Sequence, residues 1–384
     1  MFEKALRGDR RYWTWILALL AVMGIGAHFY LRQLNEGLAI TGLSRDVTWG
    51  FYIAQLTFLV GVAASAVMVV LPYYLHDFKA FGRITILGEF LAIAAVTMCV
   101  IFVGVDLGQP GRAFNMFLHP SPRSILFWDS VVLSGYLLIN AVISRASLVA
   151  ERNGEAPPRW IRAVILLSIP WAVSIHTVTA FIYSGLAARP FWMTAILAPR
   201  FLASAFCSGP ALLILLCLLL RHFSKFDAGE RAIQKLALIV TYALLANLFF
   251  VAMEFFTAFY SNIPEHMAHF RYLFFGLEGH AELVPWMWTA EILAFGSLLV
   301  LLRPSLRART PWLAATSVAV VVSVWIEKGL GMVVTGFVPS PLGHVTDYVP
   351  TIPELGISLS IYAFGALMVT IFYKITLSVR GQVA

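Results

Sequence analysis

Ten apolar stretches, each long enough to cross a bilayer, dominate the chain. They lie near 12–34, 49–73, 84–106, 124–146, 160–186, 201–221, 233–260, 284–302, 312–336 and 355–378. A helix needs about 20 mainly apolar residues to cross the hydrocarbon. Lipid offers no partner to a bare backbone N–H or C=O, so such stretches must form helices. The pattern predicts an all-α integral membrane protein, a single membrane domain over 1–384 with ten transmembrane helices. Composition agrees, with 60% of residues hydrophobic and only 12% charged, against about 25% charged in soluble proteins. That excludes a soluble enzyme and a disordered chain. The first stretch reads as a retained anchor, because its apolar run is long and no Ala-x-Ala cleavage site follows.

The net charge of +7 carries no Lys/Arg-rich run of the kind that binds nucleic acid. Its distribution instead orients the protein. Ten spans place both termini on one side. Of 27 Lys and Arg residues, 19 fall on that side, Lys4, Arg7, Arg10 and Arg11 among them. Seven fall on the other: Arg32, Arg45, Arg112, Arg123, Arg189, Arg200 and Arg271. Lys328 lies within a span. The positive-inside bias predicts cytoplasmic termini in the cytoplasmic (inner) membrane. The outer loops are rich in Gly, Pro, His and aromatics, as in Asp106-Leu-Gly-Gln-Pro-Gly-Arg112, so the functional face is expected to be the outer, periplasmic one.

Ionisable groups inside a span are costly and point to function. His176, Glu254, Glu291 and the neighbours Glu327 and Lys328 fall in the outer halves of their spans, and Asp106 ends the third span at the outer surface. Trp49 and Tyr52 open the second span there. Only Glu89 sits near the cytoplasmic end. This skew suits a lipid-soluble redox substrate entered from the outer half better than an ion path through the whole depth. A quinone needs hydrogen-bond partners for two oxygens and an acceptor for protons leaving the quinol, roles that Asp106 and His176 can fill. Lys328 is expected to pair with Glu254 or Glu291, because an unpaired ammonium in lipid is costly. These groups read either as a proton relay or as a static lock between helices. Metal-ligand spacing is absent apart from a lone His266-Met-Ala-His269. Cys99, Cys207 and Cys217 are too few and too scattered for an iron–sulfur cluster. Neither haem nor cluster is expected in this chain, since His28 and His176 are the sole histidines well inside spans.

The outer motifs carry a resemblance. Thr41-Gly-Leu43, Thr48-Trp-Gly-Phe-Tyr-Ile53, Asp106-Leu-Gly-Gln-Pro110 and Ser174-Ile-His-Thr-Val-Thr-Ala-Phe181 occur in order. Arg189-Pro-Phe-Trp192, Ala198-Pro-Arg-Phe-Leu-Ala-Ser-Ala205, Glu254-Phe-Phe-Thr257 and Trp325-Ile-Glu-Lys-Gly-Leu-Gly331 follow. Together they make the chain resemble the NrfD/PsrC family of quinone-interacting membrane subunits, and within it the ten-span DsrP type of sulfur metabolism. The resemblance implies two four-helix bundles, over 49–186 and 201–336, flanked by the first helix at 12–34 and the last at 355–378. It implies a menaquinone or menaquinol site near the outer face of the first bundle, with Trp49 and Tyr52 lining it and Asp106 and His176 as polar partners. Glu89 matches an acidic position that the family links to proton movement, with Glu254, Glu291 and Lys328 as further proton-pathway candidates. It implies an outer-face ferredoxin-like iron–sulfur partner, beside a multihaem cytochrome c, a haem b membrane subunit and a cytoplasmic iron–sulfur subunit. One departure is Gln109, where the family often has Arg. Arg112 is available to replace that charge, in a loop that either docks the partner or shapes the site. Two rivals to the quinone reading are a proton-translocating or transporter-like module and a passive membrane anchor for redox partners.

Overall fold

In the computed structural model, which describes Glu3 and residues 8–382, ten helices are long and apolar enough to cross a membrane. They are Arg10–Ile40, Phe51–Leu75, Thr85–Asp106, Ile125–Asn153, Ile161–Ser184, Leu197–Phe223, Glu230–Tyr260, Val284–Leu302, Thr310–Thr335 and Ile352–Val379. Each coincides with one of the sequence stretches. The ends differ most at the fourth, which runs on to Asn153. Lys4 and Arg7, part of the charge count, lie outside the described residues. No strand forms among the described residues.

The spans divide by how much of them the protein covers. The second span is wholly buried over its apolar window, whereas the first is 17% buried and the last 28%. The second span therefore serves as the axis, packed against the third, sixth and ninth. The first and last spans lie along each other on the outside. Lipid gives helices no hydrophobic reason to associate, so small residues that admit close packing decide the contact. A Cβ on Gly26 would stand 2.1 Å from the Ser360 Cβ, and one on Gly356 would stand 2.4 Å from the Phe29 ring.

Two spans depart from regular α-helix in their interior. The second breaks at Ala64, between Phe51–Ala63 and Ser65–Leu75. The ninth widens into a π-helical segment, Trp325–Gly331. Such wide turns are rare and gather at functional sites, because the extra residue re-aims the side chains around it. Here they carry Glu327 and Lys328.

The face remote from the two termini, the distal face, is roofed by ordered loops. The short helix Pro264–Phe274 buries His269 under the end of the ninth span. His269 Nδ1 lies 2.9 Å from the Thr335 carbonyl and 2.8 Å from that of Val338. A carbonyl can only accept, so Nδ1 carries the proton. Trp192 is fully buried beside it and donates from Nε1 to the Met332 carbonyl at 2.9 Å. The Arg189 guanidinium lies over the Phe337 ring, 4.4 Å from its centre.

Burial pushes the His269 imidazole down from 6.5 to about 4, against the opposing pull of its two carbonyl partners. Between those values the unfolded chain takes up a proton that the folded one refuses. Stability at this site is full above pH 6.5 and is lost as the pH falls towards 4, by about 3 kcal/mol. Denaturant titrations of the detergent-purified protein at pH 7.5 and 4.5 should show this loss, and His269→Asn should shrink it.

Candidate functional site

The expected site residues Trp49, Tyr52 and Asp106 lie at the distal ends of the second and third spans. Tyr52 is 1% exposed. Its hydroxyl donates to Gln33 Oε1 at 2.7 Å, and Gln33 Nε2 donates to the Val105 carbonyl at 2.6 Å. That carbonyl is free because the third helix stops at Asp106 and leaves its last carbonyls without helical partners. Gln33 thus ties the first span to Tyr52 and to the residue before Asp106. Asp106 Oδ1 is buried and has no hydrogen-bond partner within the protein. The Trp49 indole meets the Tyr183 ring edge-on at 5.6 Å, lies nearly parallel to Trp192 at 6.0 Å and meets Phe337 edge-on at 5.8 Å.

The fifth span brings in the remaining group. His176, Thr179 and Tyr183 follow the spacing that lines one helix face. His176 is fully buried, and neither of its ring nitrogens has a partner within the protein. Thr179 donates to Asp129 Oδ1 at 2.6 Å, and the Tyr183 and Thr57 hydroxyls share a hydrogen bond of 2.5 Å. Tyr183 stands within electrostatic range of both Asp106 and Asp129. It links the Trp49 and Asp106 end of the site to His176, which lies about 10 Å below it along the helix.

The other charged candidates do not join this group. Glu254 and Glu327 are both bound by Arg200, which is buried in the sixth span. Arg200 Nε also reaches Glu327 Oε1 at 3.1 Å, and Asn247 donates to Glu327 Oε2 at 3.1 Å. The planar guanidinium suits this two-carboxylate role. The expected pairing of Lys328 with Glu254 or Glu291 is therefore corrected. Arg200, placed by the sequence reading on the outer side, sits inside the span and takes Glu254 for itself. The Lys328 ammonium instead donates to the Phe201 carbonyl at 3.3 Å and lies over the Phe201 ring at 4.3 Å. It points into the seam between the second and sixth spans, within electrostatic range of His176. Glu291 is near enough to act on Arg200 and Glu327 but makes no hydrogen bond among the described residues. Glu89 is buried near the opposite face, where Ser144 donates to it at 3.3 Å. Seventeen residues of helix separate Glu89 from Asp106, about 25 Å.

Four participants escaped the sequence reading. Asp129 carries the same signal as the others, a carboxylate inside a span. Thr179 and Tyr183 are legible from the helical spacing that starts at His176. Gln33 is uncharged and carries no comparable mark.

Comparison with known proteins bears on this arrangement. A family model described as "Polysulphide reductase, NrfD" matches residues 39–336. A putative dimethyl sulfoxide reductase membrane subunit of Halobacterium salinarum is 26% identical, over 94% of this chain and 89% of its own length. The Hdr-like menaquinol oxidoreductase integral membrane subunit of Archaeoglobus fulgidus is 27% identical, over 65% of this chain and 62% of its own. The menaquinone reductase integral membrane subunit of Nitratidesulfovibrio vulgaris is 21% identical, over 95% and 91%.

The Arg200 network has a measurable signature. Arg200→Ala strands two buried carboxylates and should lower stability by about 3–5 kcal/mol. Lys328→Met strands none and should cost less. Denaturant titration of the two purified variants beside the parent protein tests the order.

Proposed function

The chain belongs to the NrfD polysulphide reductase family, and on that premise we propose that it is the menaquinol-binding membrane subunit of a redox complex. Two relatives named for menaquinol or menaquinone chemistry support the reading. The observation that carries it is the pair Asp106 and His176. Buried polar groups in proteins are paired in about 90% of cases or more. Here one carboxylate oxygen and both imidazole nitrogens are buried without a protein partner, in the distal half of one helix group. A quinol supplies what they lack, two hydroxyl groups to bond and two protons to give up.

In this reading the quinone ring carries the redox chemistry and the protein positions it. His176 bonds one ligand oxygen. Asp106 accepts a proton near the distal surface, where it can leave. Trp49, held by Tyr183, Trp192 and Phe337, offers an aromatic edge to the ring, and Tyr52 borders it. The two electrons pass to an outer-face ferredoxin-like iron–sulfur subunit. The wider complex adds a multihaem cytochrome c, a haem b subunit and a cytoplasmic iron–sulfur subunit. Both termini face the cytoplasm, and the site faces the periplasmic side of the inner membrane. Spans two to five and six to nine act as two four-helix bundles. The Arg200 clamp makes Glu254 part of a lock between helices. A second reading, coupled proton translocation, rests on Lys328, a buried ammonium that no carboxylate contacts, with Glu291 beside the lock and Glu89 as the group nearest the cytoplasm.

Titration of the detergent-purified chain with a fluorescent quinol analogue tests the proposal. Saturable binding at one site is expected, weakened about tenfold by His176→Ala and by Asp106→Asn, or about 1.4 kcal/mol each. Absence of saturable binding to a folded protein would sink the proposal and favour the anchor reading, the transporter-like reading or a site completed by the partner.

A further inference from the structure

We infer that Gln33 makes the site select the hydroquinone over the quinone, by fixing where the hydroxyl hydrogen of Tyr52 points. The inference rests on the quinone reading above and adds the redox state that the site prefers.

Gln33 is conspicuous by its position. It belongs to the first span, the one least covered by protein, yet it is 4% exposed. A polar side chain on a lipid-facing helix is costly unless it is turned inward and paired. Both ends of this amide are paired, and the pairs are not interchangeable. The Val105 carbonyl has no hydrogen to give, so the amide nitrogen must be the end that faces it, at 2.6 Å. The amide oxygen is then the end that faces Tyr52, at 2.7 Å, and it too can only accept. The single hydroxyl hydrogen of Tyr52 is committed to Gln33. What Tyr52 can offer to any other group is an oxygen lone pair and nothing else.

The unpartnered carboxylate stands within electrostatic range of Tyr52. Asp106 directly follows Val105, whose carbonyl holds the Gln33 amide, and it acts electrostatically on Tyr52. A ligand oxygen seated between Tyr52 and Asp106 meets an acceptor on the tyrosine side. A hydroquinone hydroxyl donates to it. A quinone carbonyl sets lone pair against lone pair and leaves Tyr52 unsatisfied. His176 does not discriminate, because a neutral imidazole has one donor and one acceptor nitrogen and serves either form. The Asp106 carboxylate, as an acceptor, favours the same form; the share of the selection that Tyr52 carries is set by Gln33, a positioning residue that need not touch the ligand. A site that holds the reduced form more tightly raises the potential of the bound couple, by about 30 mV for each tenfold in affinity for a two-electron couple.

The test is the ratio of two affinities. Menadiol and menadione are titrated separately, without oxygen, into the full-length protein in detergent and followed by calorimetry. The parent protein should bind menadiol at least about fivefold more tightly than menadione, the size of one net hydrogen bond. Tyr52→Phe removes the acceptor with little change of shape, and Gln33→Leu releases the tyrosine hydrogen to the ligand. Each should lower the ratio about fivefold. A merely structural loosening would weaken both forms together and leave the ratio where it was. Equal affinities in the parent protein, a preference for menadione, or an unchanged ratio in both variants would overturn the inference. Failure of the parent protein to bind either compound would instead strike at the quinone site itself.

Discussion

Everything else in the fold hangs on the close approach of the second and sixth spans. A Cβ on Gly209 would stand 2.8 Å from the Ser65 amide and 3.3 Å from the Gly61 carbonyl, so only glycine permits this contact. The ninth span presses in the same way, with Gly329 directly over the Ala54 carbonyl. The second helix is thereby enclosed along its whole apolar length. One consequence is at its distal end, where Trp49 and Tyr52 are held against the third and fifth spans. Another is halfway along, where the seam is wide enough for the Lys328 side chain and little more. In a medium without hydrophobic force, a few missing side chains decide which helices touch and therefore which polar groups meet.

Charge obeys the same economy with a different remedy. The Arg200 guanidinium satisfies Glu254 and Glu327 at once, and Asn247 completes Glu327. Removal of Arg200 would leave two negative charges buried where solvation is weakest. This cluster lies in the later half of the chain, whereas the unpartnered nitrogens of His176 and the free oxygen of Asp106 lie in the earlier half. The contrast matters because the two groups have similar chemistry. A carboxylate tied to a guanidinium is poorly placed to gain and lose protons during turnover, and one with an idle oxygen at the end of a helix is well placed to do so.

The membrane architecture was readable from sequence because lipid imposes one strong rule, a run of about 20 apolar residues, and all ten runs obey it. Asp106 as the last residue of the third span and His176 deep in the fifth were readable for the same reason. The pairings were not. Arg200 lies one residue before the apolar stretch that begins at 201, so it read as a loop charge. The helix in fact starts at Leu197, and that small shift moves a guanidinium into the interior. The fate of Lys328 turned on the π-helical segment Trp325–Gly331, which sends neighbouring residues to different partners. An ordinary helical wheel has no place for such a turn. Gln33 was hidden by its neutrality, since an amide stands out only when its two ends are seen to have different partners.

The distal cluster and Glu89 are too far apart for direct exchange. About 25 Å of third helix lies between them, lined by small and apolar residues such as Ala92, Ala95 and Cys99. The side chains nearest the middle that could bridge the gap come from other spans: Asn140 and Tyr136 of the fourth, and Thr57 of the second. Tyr136 already donates to the Ala63 carbonyl, where the second helix breaks, and Asn140 donates to the Tyr136 carbonyl. The Tyr136 hydroxyl hydrogen and one of the two Asn140 amide hydrogens are thus spent on the backbone. Because neither nitrogen of His176 has a partner, the protein chain alone offers no continuous hydrogen-bonded path between Glu89 and His176 among the described residues. On the proposed reading, protons given up at Asp106 would have their shortest way out at the distal face.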